Sequence, residues 1–264
     1  MDWINEKRKE FRDGLKTDFF RKNKFDCNNL DAFQEAVKAG YGDAKRTFTG
    51  IGKLWSDAQR NEFFKALAGE LQKQFTSEPE ATWHEDLCSY FCTELSKLGY
   101  KTVTYGQAQK VINMALKYLF CMEDAEQYDL FKQCHMPLDS FTLSWYHKAA
   151  KKAGKKPPIT REHKWSRLNA ENYSAVQTMI GSILDSNCTI MIDGEEIVLP
   201  KEPLWAECII WPEEILLAAG NGFMSAINKD YPKCQSDSMA LFKEILCKEL
   251  PRYCNLNITI SKKP

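Results

Sequence analysis

The chain has no surplus of either charge: 36 Lys and Arg stand against 36 Asp and Glu. That balance excludes the global field that draws strongly basic proteins to nucleic acid or anionic membranes, and leaves only a local patch to do so. No apolar run approaches the roughly 18 residues a membrane helix needs, so no membrane partner is expected. The opening segment MDWINEKRKEFRDGLK lacks an apolar stretch, and no signal peptide is expected. Phosphate loops, Gly-rich dinucleotide loops, GxSxG elbows, HExxH helices and CxxC pairs are all missing, as are internal repeats. No cofactor and no metal site is expected. His84, Glu85, Asp86 and Cys88 resemble a metal cluster by composition only.

What is present is a globular composition. Of 264 residues, 44% are hydrophobic and 27% charged, enough for a sizeable core in one large domain or two small ones. A helical region over 1–76 and a helical core with a small β element over 77–264 are the expected divisions. Ten cysteines are scattered without a disulfide-like spacing, and several fall in helical apolar patterns. They read as buried thiols in a reducing cytoplasm. Cys88 and Cys92, four apart on one helix, read as core thiols before they read as half a zinc site.

The hydrophobic period is mostly helical, and eight to ten helices are expected. Residues 2–22 read as one amphipathic helix. Asn29 caps a second, from Leu30 to about Lys38, and the Gly-rich GYGDAKRTFTGIGKLW that follows reads as a loop or broken helix. Ser56 opens a helix to Phe75, and another runs from His84 to Leu98, closed by Gly99. The spacing predicts helices over Gln107–Met122, over 124–133, over 140–153 with Asp139 or Ser140 as cap and Gly154 at its end, and over 170–184 capped by Asn169. CTIMIDGEEIVL reads as two strands about an Asp-Gly hairpin turn. Pro212 starts a helix to about Lys229, Asp237–Glu249 forms another, and NITISK is a terminal strand.

The segment YGQAQKVINMALKYLFCMEDAEQYDLFKQCHMPLDS, residues 105–140, concentrates polar chemistry beside a strongly apolar run. Val111, Met114, Ala115, Tyr118 and Leu119 have core spacing. Lys110, Asn113 and Lys117 share another face, which reads either as a solvated surface or as a site. Gln107 and Gln109 stand in the first turn, where side-chain amides satisfy free N–H groups. Asp139 reads first as an N-cap, and His135 beside Cys134 needs distant partners before it does chemistry. A basic run follows: Lys155, Lys156, Arg161 and Arg167 interleave with Trp145, His163 and Trp165. That mixture suits phosphate contact and base stacking, and it equally suits a solvated loop anchored by its Trp.

The pattern GxAQKxxNxxLKYL, then CHxPxDS, then WSRL with Tyr173 a few residues on, resembles a group of uncharacterised bacterial proteins over about residues 104–180. The apolar helix with an early Lys, followed by Pro-x-Asp opening the next helix, also resembles the helix–hairpin–helix DNA glycosylases. That resemblance implies Lys110 as a Schiff-base nucleophile at the sugar C1′, and Asp139 as an assisting carboxylate that also caps its helix. The two stand 139 − 110 = 29 residues apart, a separation compatible with the archaeal 8-oxoguanine branch. DNA is then the partner, with Gln107, Gln109, Asn113, His135, Lys155, Lys156, Arg161, Trp165 and Arg167 as contacts.

Two function classes therefore stand: a DNA-acting, glycosylase/lyase-like enzyme, and a non-catalytic helical binding or regulatory protein whose polar residues form a buried network. Both make the same geometric demand, that Lys110 and Asp139 converge with Gln109, Asn113 and His135 nearby. Only the first needs an open cleft at that point.

Overall fold

The computed structural model describes residues 2–15, 17–192 and 195–230. The expected turn at 193–194, the helix at 237–249 and the strand at 257–262 lie outside them. The described residues form nine α-helices and one antiparallel hairpin, in the order α1 (Asp2–Asp13), α2 (Phe19–Lys22), α3 (Leu30–Ala44), α4 (Asp57–Thr76), α5 (Trp83–Lys97), α6 (Tyr105–Phe120), α7 (Ser140–Lys152), α8 (Ala170–Leu184), β1 (Thr189–Ile192), β2 (Glu195–Val198) and α9 (Pro203–Asp230). The hairpin pairs Thr189 with Val198 and Ile192 with Glu195. Among the described residues no helix is long and apolar enough to cross a membrane.

Helix α6 is the axis of the molecule. Every residue from Gly106 to Phe120 is buried, its polar ones included. A helix this deeply buried needs neighbours that approach closely, and two glycines permit it. A Cβ at Gly40 of α3 would fall 2.4 Å from the Val111 carbonyl oxygen. A Cβ at Gly106 would fall 2.1 Å from that of Trp165. The Gly106 amide also donates to the Leu168 carbonyl at 2.9 Å, and Thr104 Oγ1 to that of Ser166 at 2.6 Å, tying the start of α6 to the 3₁₀ turn Trp165–Arg167. Thr104 and Gln107 close a capping box there. At the other end, Arg8 donates to the carbonyls of Phe120 (2.8 Å) and Met122 (3.0 Å), which anchors α1 across the C-terminus of α6. One continuous buried cluster runs from Phe20 in α2 to Ile210 in α9.

Local expectations fail in four places. Residues 2–22 are two helices, broken after Asp13 where Gly14 is the poorest helix former of the stretch after proline. Helix α3 does not stop near Lys38 but continues to Ala44, because packing against α6 outweighs the roughly 1 kcal/mol that a mid-helix glycine costs. Residues 125–133 form two 3₁₀ turns in place of a helix, starting from Asp124 at φ 66°. Helix α9 begins at Pro203 and runs through Pro212. Pro212 has no N–H for the fourth residue back, yet burial of Leu204, Cys208, Ile209 and Ile210 carries the helix across it.

Candidate functional site

The polar face of α6 divides into three separate arrangements. The first is a closed network. Gln109 Nε2 donates to the carbonyls of Gly106 (3.0 Å) and Leu138 (3.2 Å), while its Oε1 accepts from Asn113 Nδ2 at 3.0 Å. Asn113 Nδ2 also donates to Tyr173 Oη at 2.8 Å, so Asn113 Oδ1 must be the acceptor in its 2.7 Å contact with His84 Nε2. His84 is thereby neutral with its proton on Nε2, and its Nδ1 faces Cys88 Sγ at 3.8 Å. The Tyr173 hydroxyl then donates to His135 Nδ1 at 2.9 Å, leaving His135 neutral with its proton on Nε2. The two imidazoles lie 4.3 Å apart between centroids. Burial pushes His135 down to about 4 and, with His135 beside it, pushes His84 well below the usual imidazole range. Gln177 holds the same loop through both backbone groups of Met136.

The second arrangement is a buried ion pair. Lys117 Nζ lies 2.7 Å from Glu207 Oε2, and both side chains are essentially inaccessible. The Lys117 ammonium also sits 4.3 Å from the Phe11 ring centre and 4.7 Å from that of Trp211. Burial opposes its charge, but the Glu207 carboxylate outweighs burial and raises the Lys117 pKa.

The third arrangement is open. Lys110 Nζ donates to Asp139 Oδ2 at 3.0 Å. Asp139 is the N-cap of α7: its Oδ1 accepts from the amides of Phe141 (2.9 Å) and Thr142 (3.0 Å), and its Oδ2 also accepts from Trp211 Nε1 at 3.1 Å. Burial pushes the Asp139 carboxyl up, but the Lys110 ammonium and the Thr142 amide outweigh it and hold it below the usual carboxylate range. Lys110 and Asp139 stand on the wall of a cavity of about 760 Å³, open to solvent, with Trp165, Trp211, Tyr118 and Phe141 among its lining and Arg46 and Asp43 at its edge. A volume of that order falls within the roughly 300–1,000 Å³ of ordinary ligand sites.

Lys110 and Asp139 thus converge, as the sequence reading expects, and Trp165 lines the same cavity. Gln107, Gln109, Asn113 and His135, expected as substrate contacts, are not on its wall. Gln107 caps α6 and donates to the Thr47 carbonyl at 2.7 Å. The other three belong to the first network, where the amides of Gln109 and Asn113 and the Nδ1 of His135 are engaged by protein. The expected basic contacts lie on the surface: Lys156, Arg161 and Arg167 are exposed, and Lys155 Nζ donates to Ser182 Oγ at 2.6 Å. None of these four lines the cavity.

Sequence reasoning missed Asp43, Arg46, Tyr118 and Trp211. Tyr118 is core, as its spacing predicts, but it also borders the cavity, which spacing does not reveal. Asp43 and Arg46 lie in the Gly-rich stretch read as a loop, and Trp211 precedes the proline read as a helix start. Among the described residues no group of three or more His, Cys, Asp or Glu is placed to hold a metal ion. Cys27, Cys88, Cys92, Cys121, Cys134, Cys188 and Cys208 are free thiols. No family model, curated protein or solved structure matches this chain.

Proposed function

We propose that this chain acts on DNA as a glycosylase/lyase-like enzyme, with Lys110 as the amine nucleophile and Asp139 as the assisting carboxylate. The observation that carries this reading is the 3.0 Å contact between the two side chains on the wall of an open, aromatic-lined cavity. A nucleophile needs one large enough for an extruded nucleotide. Asp139 suits electrostatic support: two backbone amides and Trp211 fix it in place, so its charge is pre-organised against the positive charge that develops on a sugar losing its base. Trp165 and Trp211 offer faces for a flipped base. Exposed Lys156, Arg161 and Arg167, in the same connection as Trp165, suit phosphate contact.

A second reading, a non-catalytic helical binding protein, draws on the network of Gln109, Asn113, His84, Tyr173 and His135, whose members hydrogen-bond to one another. One experiment separates the two. The protein is incubated with duplex DNA carrying abasic sites or a panel of damaged bases, and borohydride is added. A covalent protein–DNA adduct that is lost in Lys110→Gln supports the enzyme, provided the variant melts as a folded protein. No adduct from the wild type on any substrate refutes it.

A further inference from the structure

Amine attack at C1′ creates a demand for proton transfer that neither Lys110 nor Asp139 meets. The ammonium must shed a proton before its lone pair can form the C1′–N bond. The glycosidic electron pair then leaves with the base, which must gain a proton, and opening the sugar ring to the imine needs another at the ring oxygen. The three hydrogens of the ammonium end one on the imine nitrogen, one on the released base and one on the ring oxygen. One positive charge is carried throughout. A group must ferry two of these hydrogens.

Asp139 is poorly suited to that task. Its two oxygens already accept hydrogen bonds from Phe141, Thr142, Lys110 and Trp211. Protonating it would break at least one of them and expose the Lys110 ammonium unpaired in a nearly buried position.

Asp43 is built differently. It sits on α3 at the rim of the same cavity, and α3 is held against α6 by the close approach at Gly40. Its Oδ2 accepts from the Tyr118 hydroxyl at 3.0 Å, and its Oδ1 has no hydrogen bond among the described residues. Asp43 is an exposed residue, yet the protein crowded about its carboxyl pushes it up, against the pull of Tyr118, Lys110 and Lys117 and with the push of Asp139. The other charged groups on the cavity are Lys7, Glu10, Asp13 and Arg46.

We infer that Asp43 is the proton carrier of this site, taking in turn the two protons that Lys110 sheds and delivering one to the departing base and one to the ring oxygen, with the Tyr118 hydroxyl positioning the carboxyl. This rests on the glycosylase/lyase reading. The test uses the full chain and DNA bearing whichever lesion gives a wild-type adduct. Single-turnover base release and borohydride trapping are followed from pH 5 to 9 for wild type, Asp43→Asn, Asp43→Ala and Tyr118→Phe.

A proton carrier contributes roughly 10²–10⁴-fold. Asp43→Asn should therefore lose rate on that scale, with unchanged DNA affinity and melting temperature. Asp43→Ala should recover rate with added formate, a response that a structural role would not give. Tyr118→Phe should shift the acidic limb of the pH profile without abolishing turnover. Wild-type rates and an unchanged profile in Asp43→Asn, alongside a robust wild-type adduct, would overturn the role of Asp43 and leave Lys110 standing. No wild-type adduct at all removes both readings.

Discussion

The paired imidazoles of His84 and His135 should make this protein sensitive to mild acid. His135 is held neutral at about 4, against 6.5 for a free imidazole. As pH falls, the unfolded chain takes up its proton first, so stability is complete above about 6.5 and is lost as pH drops toward 4. A difference of 6.5 − 4 = 2.5 units corresponds to about 3 kcal/mol by pH 4, at 1.36 kcal/mol per unit. That is a large part of the roughly 5–15 kcal/mol that holds a typical domain folded. His84 is depressed by the same burial and adds in the same direction. Asp43 and Glu207, whose carboxyls are raised, oppose the loss in this window, so the informative quantity is a difference between variants. Urea unfolding should be measured at intervals from pH 7.5 to 4 for wild type and His135→Gln, whose amide oxygen can still accept from Tyr173. The wild type should lose about 3 kcal/mol more than the variant over that range. Superimposable pH slopes would refute the argument, as would a His135 ring proton that titrates near 6.5 in the folded protein by NMR.

Other expectations follow from the same packing. Lys117→Met alone strands Glu207 in the core and should destabilise by about 3–5 kcal/mol, while Lys117→Met with Glu207→Leu should recover most of that loss in urea unfolding. Equal loss in the single and double variants would show that the pair itself stabilises the fold. Gly106→Ala drives a methyl into the Trp165 carbonyl and should cost about 1–3 kcal/mol, or more if the turn cannot shift. Its tryptophan emission should change as Trp165 moves, and an unchanged melt and spectrum would contradict the close contact.

Some of the candidate site could be read along the chain. Asp139 announces itself as an N-cap, Lys110 falls one turn into an apolar helix, and the 29-residue separation allows the two to meet. Trp165 was legible too, as an aromatic in a basic connection. Asp43, Arg46 and Trp211 were not, because each acquires its place from a partner distant in sequence. Arg46 and Asp43 reach the cavity only because Gly40 lets α3 run on against α6. Trp211 reaches Asp139 because α9 begins at Pro203, ahead of the proline at 212 where the sequence places the helix start. Gln109, Asn113 and His135 misled for the opposite reason: amides and imidazoles in an apolar helix and a short loop look alike in sequence whether they await a ligand or one another.

By itself, then, the sequence determined the helices with strong caps, the hairpin, the absence of a membrane-length apolar run and the identity of the Lys–Asp pair. These depend on local period, capping chemistry and turn residues within a few positions of one another. The tertiary structure alone decided which polar groups are closed off and which stay open. Gln109, Asn113, His84, Tyr173 and His135 hydrogen-bond to one another away from the cavity, whereas Lys110 and Asp139, one helical turn away, border it. Burial and hydrogen-bond satisfaction are properties of the assembled surfaces of α3, α6, α7, α8 and α9, and no window of the chain contains them.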